Sequence, residues 1–134
     1  MDLNVLGERT IYIDADVIQA DGGTRTTSIT GGMTAVCLAV NKLLKEGVLK
    51  TNPIRHYIAA ISVGKVDNEI VCDLAYEQDS RAEVDMNVVM TESGEFIEIQ
   101  GTGEQGTFNK KELDAMLREA KKAIQGIIKK IKKF

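Results

Sequence analysis

The stretch Gln19–Gly32, QADGGTRTTSITGG, decides how this chain is read. Before it, in IYIDADVIQAD, residues Ile11, Ile13, Ala15 and Val17 alternate with Tyr12, Asp14, Asp16 and Ile18. That period of two predicts a strand from about Thr10 to Ala20. After it, Ile29, Met33, Val36, Cys37, Val40 and Leu44 recur at helical spacing. They predict a helix from about Thr26 to Glu46, with Gly47 as the residue that ends it. Gly31, Gly32, Ala35 and Ala39 give this helix a side of small residues. Strand and helix are joined by two glycines, an arginine and three hydroxyl residues.

A helix N-terminus carries unpaired N–H groups and a partial positive charge. Glycines in front of it let a ligand approach the backbone. Gly22-Gly23-Thr24-Arg25-Thr26 therefore suits an anion, and the Arg25 guanidinium matches the geometry of phosphate. The stretch has neither the lysine of a P-loop nor the GxGxxG spacing of a dinucleotide site. On these residues alone it is equally an ordinary tight turn with a threonine N-cap.

Further along, KTNPIRH marks a loop at the only proline, Pro53. Four strand candidates follow: YIAAISVGKV, EIVCDLAYEQ, DMNVVMTE and EFIEIQGT. Asp67-Asn68 and Ser93-Gly94 are turn signals that join them in pairs. A last helix starts at the cap Asn109 and carries one apolar stripe of Leu113, Met116, Leu117, Ala120, Ile124, Ile127, Ile128 and Ile131. The order β-α-β-β-β-β-α predicts an α+β domain, its sheet mostly antiparallel and its helices on one side.

Between two of the strands lies YEQDSRAEVD, residues 76–85, with four carboxylates. Asp79 and Asp85 stand at the ends of a short loop that can bring them to one site. Two oxygen ligands suit Mg²⁺ or Mn²⁺, ions that also take waters and phosphate oxygens. A solvated acidic loop fits the same residues. An anion cradle and a carboxylate pair would together make the two halves of a phosphoryl-transfer site.

Composition narrows the rest. With 134 residues, 43% hydrophobic and 28% charged, the chain has the size and balance of one globular domain. Tryptophan is absent and aromatics are 4%, so the core is aliphatic. No apolar run is long enough to span a membrane, and MDLNVLGERT lacks the marks of a signal peptide. Cys37 and Cys72 read as buried free thiols, which fits a cytoplasmic location, and one histidine without CxxC argues against structural zinc. Residues 110–134 carry nine Lys or Arg against three Asp or Glu; the remainder carries eight against seventeen. The basic helix could touch a polyanion or be a solvated face.

The blocks LGERTIYIDADVIQADGGTRTTSITGG, LKTNPI, AAISVGKV and VCDLAYEQDSRAEVDMNVVMTESGEFIEIQGTGEQGTF closely resemble the bacterial ribonuclease PH family. The resemblance implies the fold of ribosomal protein S5 domain 2 and a phosphorolytic 3′→5′ exoribonuclease, or tRNA nucleotidyltransferase. Inorganic phosphate would be its co-substrate and Mg²⁺ or Mn²⁺ its metal. Its substrate would be the RNA 3′ end of tRNA precursors rather than DNA, and its assembly a hexameric ring. The family's phosphate-binding residues fall on Gly23, Thr24 and Arg25, with Thr26 beside them, and its acidic pair on Asp79 and Asp85. Arg25, Asp79 and Asp85 would be catalytic, and Asp79 and Asp85 the metal ligands. Family chains carry roughly a hundred further residues before the point matching residue 1, including a second phosphate-contacting arginine and RNA-binding arginines. Residues 1–134 thus read as the C-terminal half of a ribonuclease PH domain with the N-terminal half missing. Such a chain would self-associate or bind an N-terminal-half chain, and would be inactive or very weak alone. The alternative is a non-catalytic RNA-binding or ring-forming subunit of an exosome-like assembly.

Overall fold

The structure, a computed structural model, describes residues 1–134. It begins with one helical turn, α1 (Leu3–Leu6), capped by the Asp2 carboxylate, which accepts the N–H groups of Asn4 and Val5. A long helix, α2 (Thr24–Lys45), follows after an irregular stretch. Next come β1 (Ile58–Val66), β2 (Glu69–Cys72), the single turn α3 (Tyr76–Asp79), β3 (Val84–Thr91), β4 (Phe96–Gly103) and α4 (Lys110–Ile131). The four strands form one antiparallel sheet in the order β2-β1-β3-β4.

Local chemistry sets the boundaries. The β1–β2 hairpin turns on Asp67 and Asn68, both at positive φ (51° and 63°), as a two-residue primed turn requires. Gly94 (φ 87°) serves the β3–β4 turn, and Gly47 (φ 71°) follows α2. Asn109 caps α4: its side chain accepts from Lys111 and Glu112 N–H while Glu112 accepts the Asn109 N–H. That reciprocal pairing satisfies donors the helix cannot.

One face of the sheet carries the core. Ala59, Ile61 and Val63 of β1 and Val84, Met86, Val88 and Met90 of β3 pack against Met116, Ala120, Ile124, Ile128 and Ile131 of α4. The α4 residues are the inner ones of the stripe legible in the sequence, and truncating one of its buried methionine or isoleucine side chains to alanine costs about 2–5 kcal/mol. By alternation and register, Ser62, Gly64, Asp85 and Asn87 face the other way, as do Gln100 and Thr102 of β4. This second, polar face is where the candidate site lies.

Two sequence expectations need correction. Residues 10–20 form no strand. Ile11 and Ile13 do turn towards α2, Ile11 against Val36, Val40 and Leu49 and Ile13 against Gly32. Tyr12 and Ile18, however, are 90% and 96% exposed. A strand needs a ladder, and residues 10–20 pair with no strand of the sheet. The free edge of β1 at Ala60 is taken by α2, where the Thr30 hydroxyl bonds both the Ala60 N–H and its carbonyl. The expected strand EIVCDLAYEQ also stops early, at Cys72. Asp73 takes φ 63° and Leu74 turns inward, 2% exposed, so the chain breaks into α3.

Candidate active site

The site is built from three segments brought together over the polar face. The first is the start of α2. Gly23 is its N-cap at φ 69°, a left-handed conformation that favours glycine. The first intrahelical bond runs from Thr27 N–H to Gly23 carbonyl, so the N–H groups of Thr24, Arg25 and Thr26 have no helical acceptor. Gly22 is fixed by crowding: a Cβ there would stand 1.9 Å from the Leu74 carbonyl oxygen. Only glycine lets the turn lie against the Leu74–Ala75 backbone.

The second segment is that backbone and α3 beyond it. Ser62 of β1 holds it: its carbonyl accepts Asp73 N–H at 2.8 Å and its hydroxyl accepts Leu74 N–H at 3.2 Å. Leu74 packs over Gly64, where a Cβ would lie 3.2 Å from the leucine side chain. Gln78 closes the turn by accepting Ala75 N–H. Asp79 ends α3, and Ala82 N–H bonds its carbonyl.

Asp21 ties the first two segments. Its carboxylate accepts Gly22 N–H at 2.9 Å and Tyr76 N–H at 2.7 Å. Those bonds, Tyr76 first, hold its pKa below the ordinary aspartate value. Asp21 was not singled out from the sequence. An aspartate directly before the two glycines of a helix start was the available signal, because such residues bond nearby backbone N–H groups.

The third segment is β3 with Asp85, half-buried and paired in register with Gly64. Burial raises its pKa, and the nearby charges of Asp79 and Glu104 raise it further. Asp79 and Asp85 are therefore electrostatic neighbours. Glu104 also acts on Asp85, but no three of the His, Cys, Asp and Glu side chains are placed to hold one metal ion. Two carboxylates that act on one another's charge without a full protein ligand set suit a hard cation that keeps its waters and takes phosphate oxygens. They do not fit zinc or another ion wanting a full protein shell.

Arg25 extends from α2 to β4, where it meets Glu98. Nη1 and Nη2 donate to the two carboxylate oxygens at 2.7 and 2.9 Å. The pairing lowers the Glu98 pKa and raises that of Arg25. Arg25 makes no ion pair with Asp79 or Asp85. Thr26, expected beside the phosphate contacts, is buried and donates its hydroxyl back to the Gly23 carbonyl, so it shapes the turn from within. The Thr24 side chain lines a groove of about 770 Å³ that runs from the turn along Gly31, Gly32, Ala35 and Ala39 of α2.

A charged brace holds the far end. Lys65 is 8% exposed and bridges Glu83 at 3.1 Å and Glu112 at 3.0 Å. The Glu83 carbonyl accepts the N–H groups of Glu104, Gln105 and Gly106, which sets Glu104 beside Asp85.

An antiparallel four-stranded sheet packed on a basic helix, with a glycine-opened helix start tied through Asp21 to the segment before Asp79, defines an α+β domain. Comparison with known proteins gives it a family. The 3′ exoribonuclease family, domain 2, matches residues 56–123, about half of the chain. The chain belongs to that family. It is 60% identical over 134 residues to ribonuclease PH of Bacillus subtilis (strain 168), covering 98% of this chain and 54% of that protein. It is 58% identical over 133 residues to ribonuclease PH of Bacillus velezensis, with the same coverage. The chain thus spans about half the length of the curated relatives it matches. Among solved structures, an archaeal exosome core chain has a TM-score of 0.53 at 17% identity, covering 60% of this chain and 32% of that one. That likeness concerns the fold.

Proposed function

We propose that this chain forms the phosphate- and metal-handling half of a phosphorolytic 3′→5′ exoribonuclease that trims the 3′ ends of tRNA precursors. The observation that carries this reading is the bridge at Asp21, which holds the Gly22–Thr26 turn against the segment leading to Asp79. In the reaction, an oxygen of inorganic phosphate attacks the phosphorus of the 3′-terminal phosphodiester. The bond from that phosphorus to the neighbouring O3′ breaks. The shortened RNA takes up a proton as its new 3′-hydroxyl, and a nucleoside 5′-diphosphate leaves. Arg25 and the free N–H groups of Thr24, Arg25 and Thr26 hold the attacking phosphate. Asp79 and Asp85 would hold Mg²⁺ or Mn²⁺, which when bound neutralises charge on the phosphoryl oxygens.

Charge balance supports the metal. The one arginine of the turn is already matched by Glu98, Asp21 adds a carboxylate at Gly22, and Asp79 and Glu104 add their charges to that of Asp85. A phosphate dianion enters such a field readily only with a compensating cation. RNA-binding charge and the rest of the site would come from the part of the relatives' length that these residues do not span, or from further copies in a ring. The exposed apolar residues Tyr12, Ile18 and Ile97 are where such a partner would pack.

The test is release of nucleoside diphosphate from a tRNA precursor, with and without phosphate. It compares this chain alone with a mixture containing the N-terminal half of Bacillus subtilis ribonuclease PH. Release from the mixture only, and only with phosphate, is expected. Release of nucleoside monophosphate without phosphate would overturn the phosphorolytic reading.

A further inference from the structure

The Arg25–Glu98 pair bears on how the proposed phosphate cradle works. A guanidinium fork facing two carboxylate oxygens presents the two-point geometry with which arginine holds phosphate. Phosphate and Glu98 therefore want the same two donors. The Glu98 carboxylate has no other hydrogen-bond partner: both its oxygens face Arg25 alone. It sits on β4, the edge strand, beside the register shift at Val89/Met90, and its side chain is 37% exposed. Nothing holds the carboxylate in place once Arg25 turns away, and water is at hand to receive it.

Resting on the phosphate-cradle reading, we infer that Glu98 is an internal competitor for phosphate. It occupies the Arg25 fork in the free protein and is expelled when phosphate binds. While the pair is closed, Arg25 is aimed across the polar face and its charge is covered. When phosphate enters, Glu98 swings to solvent, and its lost ion pair is subtracted from the binding free energy. Glu98 thus sets phosphate affinity without touching phosphate. The opposite role, an orienting partner that stays bonded while Arg25 grips the ligand, gives the opposite sign on removal.

Phosphate titration of this chain in saturating Mg²⁺ separates the two roles, using wild type, Glu98→Gln, Glu104→Gln and Arg25→Ala. An exposed ion pair is worth little, so Glu98→Gln should tighten phosphate by about two- to fivefold. Glu104→Gln removes the same charge from the same face without touching Arg25 and should change affinity by less. Unchanged or weaker binding by Glu98→Gln, with wild type still binding through Arg25, overturns the competitor and leaves the cradle standing. Equal tightening by both glutamine variants also overturns it, because net charge then explains the gain. Wild type and Glu98→Gln both failing to bind, or binding no better than Arg25→Ala, overturns cradle and competitor together.

Discussion

The Asp21 carboxylate accepts the backbone N–H of Tyr76 at 2.7 Å, across 55 positions of sequence. Through this bond the turn that opens α2 and the segment that carries Asp79 share one anchor. Asp21→Ala should weaken phosphate binding by about two- to tenfold, the value of a lost hydrogen bond or two, with Arg25 untouched. Asp21→Asn keeps one acceptor and should recover part of the loss. Phosphate titration in Mn²⁺ reads both variants, and wild-type affinity in Asp21→Ala would show that the anchor does not serve the site.

Gly22 and Gly126 make a matched pair for stability. A Cβ at Gly22 would collide with the Leu74 carbonyl at 1.9 Å, whereas one at Gly126 on α4 meets nothing within 4 Å. Gly22→Ala should cost about 2–3 kcal/mol through enforced backbone displacement. Gly126→Ala should gain up to about 1 kcal/mol from helix propensity. Urea unfolding checks both, and a Gly22→Ala midpoint equal to wild type would mean the turn does not lie against Leu74.

Asp85 should oppose the stability it sits in. Its folded pKa is raised, by burial first and then by Asp79 and Glu104. The stability it contributes is therefore fully present below the ordinary aspartate value, about 3.9, and is lost as pH rises through the folded value. Without metal, Asp85→Asn should melt higher than wild type at pH 7, and the gap should shrink as pH falls towards 4. The carboxylates with lowered pKa, such as Asp21 and Glu98, are common to both proteins and cancel in the difference. Added Mn²⁺ should raise the melting temperature of wild type and not of the variant. Thermal scans across pH test this, and a variant less stable at pH 7 would contradict it.

The exposed apolar surface should make the chain associate. Tyr12, Ile13, Ile18, Phe96 and Ile97 are each 48% exposed or more. At about 25 cal/mol per Å², covering a few hundred Å² would offset a good part of the cost of association. Sedimentation at micromolar concentration should show dimers or larger species that shrink on Ile97→Lys. A stable wild-type monomer would contradict the expectation.

The sequence was most legible where one residue's role is local. The α4 stripe, the Asn109 cap and the Asp67-Asn68 turn could each be read from spacing and turn chemistry, and the structure has them. The alternation of residues 10–20 predicted a strand that does not form, because a ladder depends on a neighbour and Thr30 of α2 takes the β1 edge at Ala60. At the site, the glycines, Arg25 and the acidic pair stood out by residue type. Ser62 and Glu98 did not, because their roles depend on strand register and on which side chain lies across the sheet. Asp79 was read at one end of a short loop between two strands, whereas the strand breaks at Asp73 and Asp79 ends the helical turn α3.

The most direct test asks whether the turn and the acidic pair form one joint phosphate–metal site. Phosphate affinity of the wild-type chain is measured by titration calorimetry with and without Mn²⁺, alongside Arg25→Ala and Asp85→Asn. Phosphate should bind at least tenfold tighter with Mn²⁺ than without it. Arg25→Ala should weaken binding by about ten- to a hundredfold, the range for a charge-assisted contact. Asp85→Asn should abolish the Mn²⁺ effect and leave the weak metal-free binding in place. Phosphate binding that ignores Mn²⁺, or a Mn²⁺ effect that survives in Asp85→Asn, would contradict the joint site.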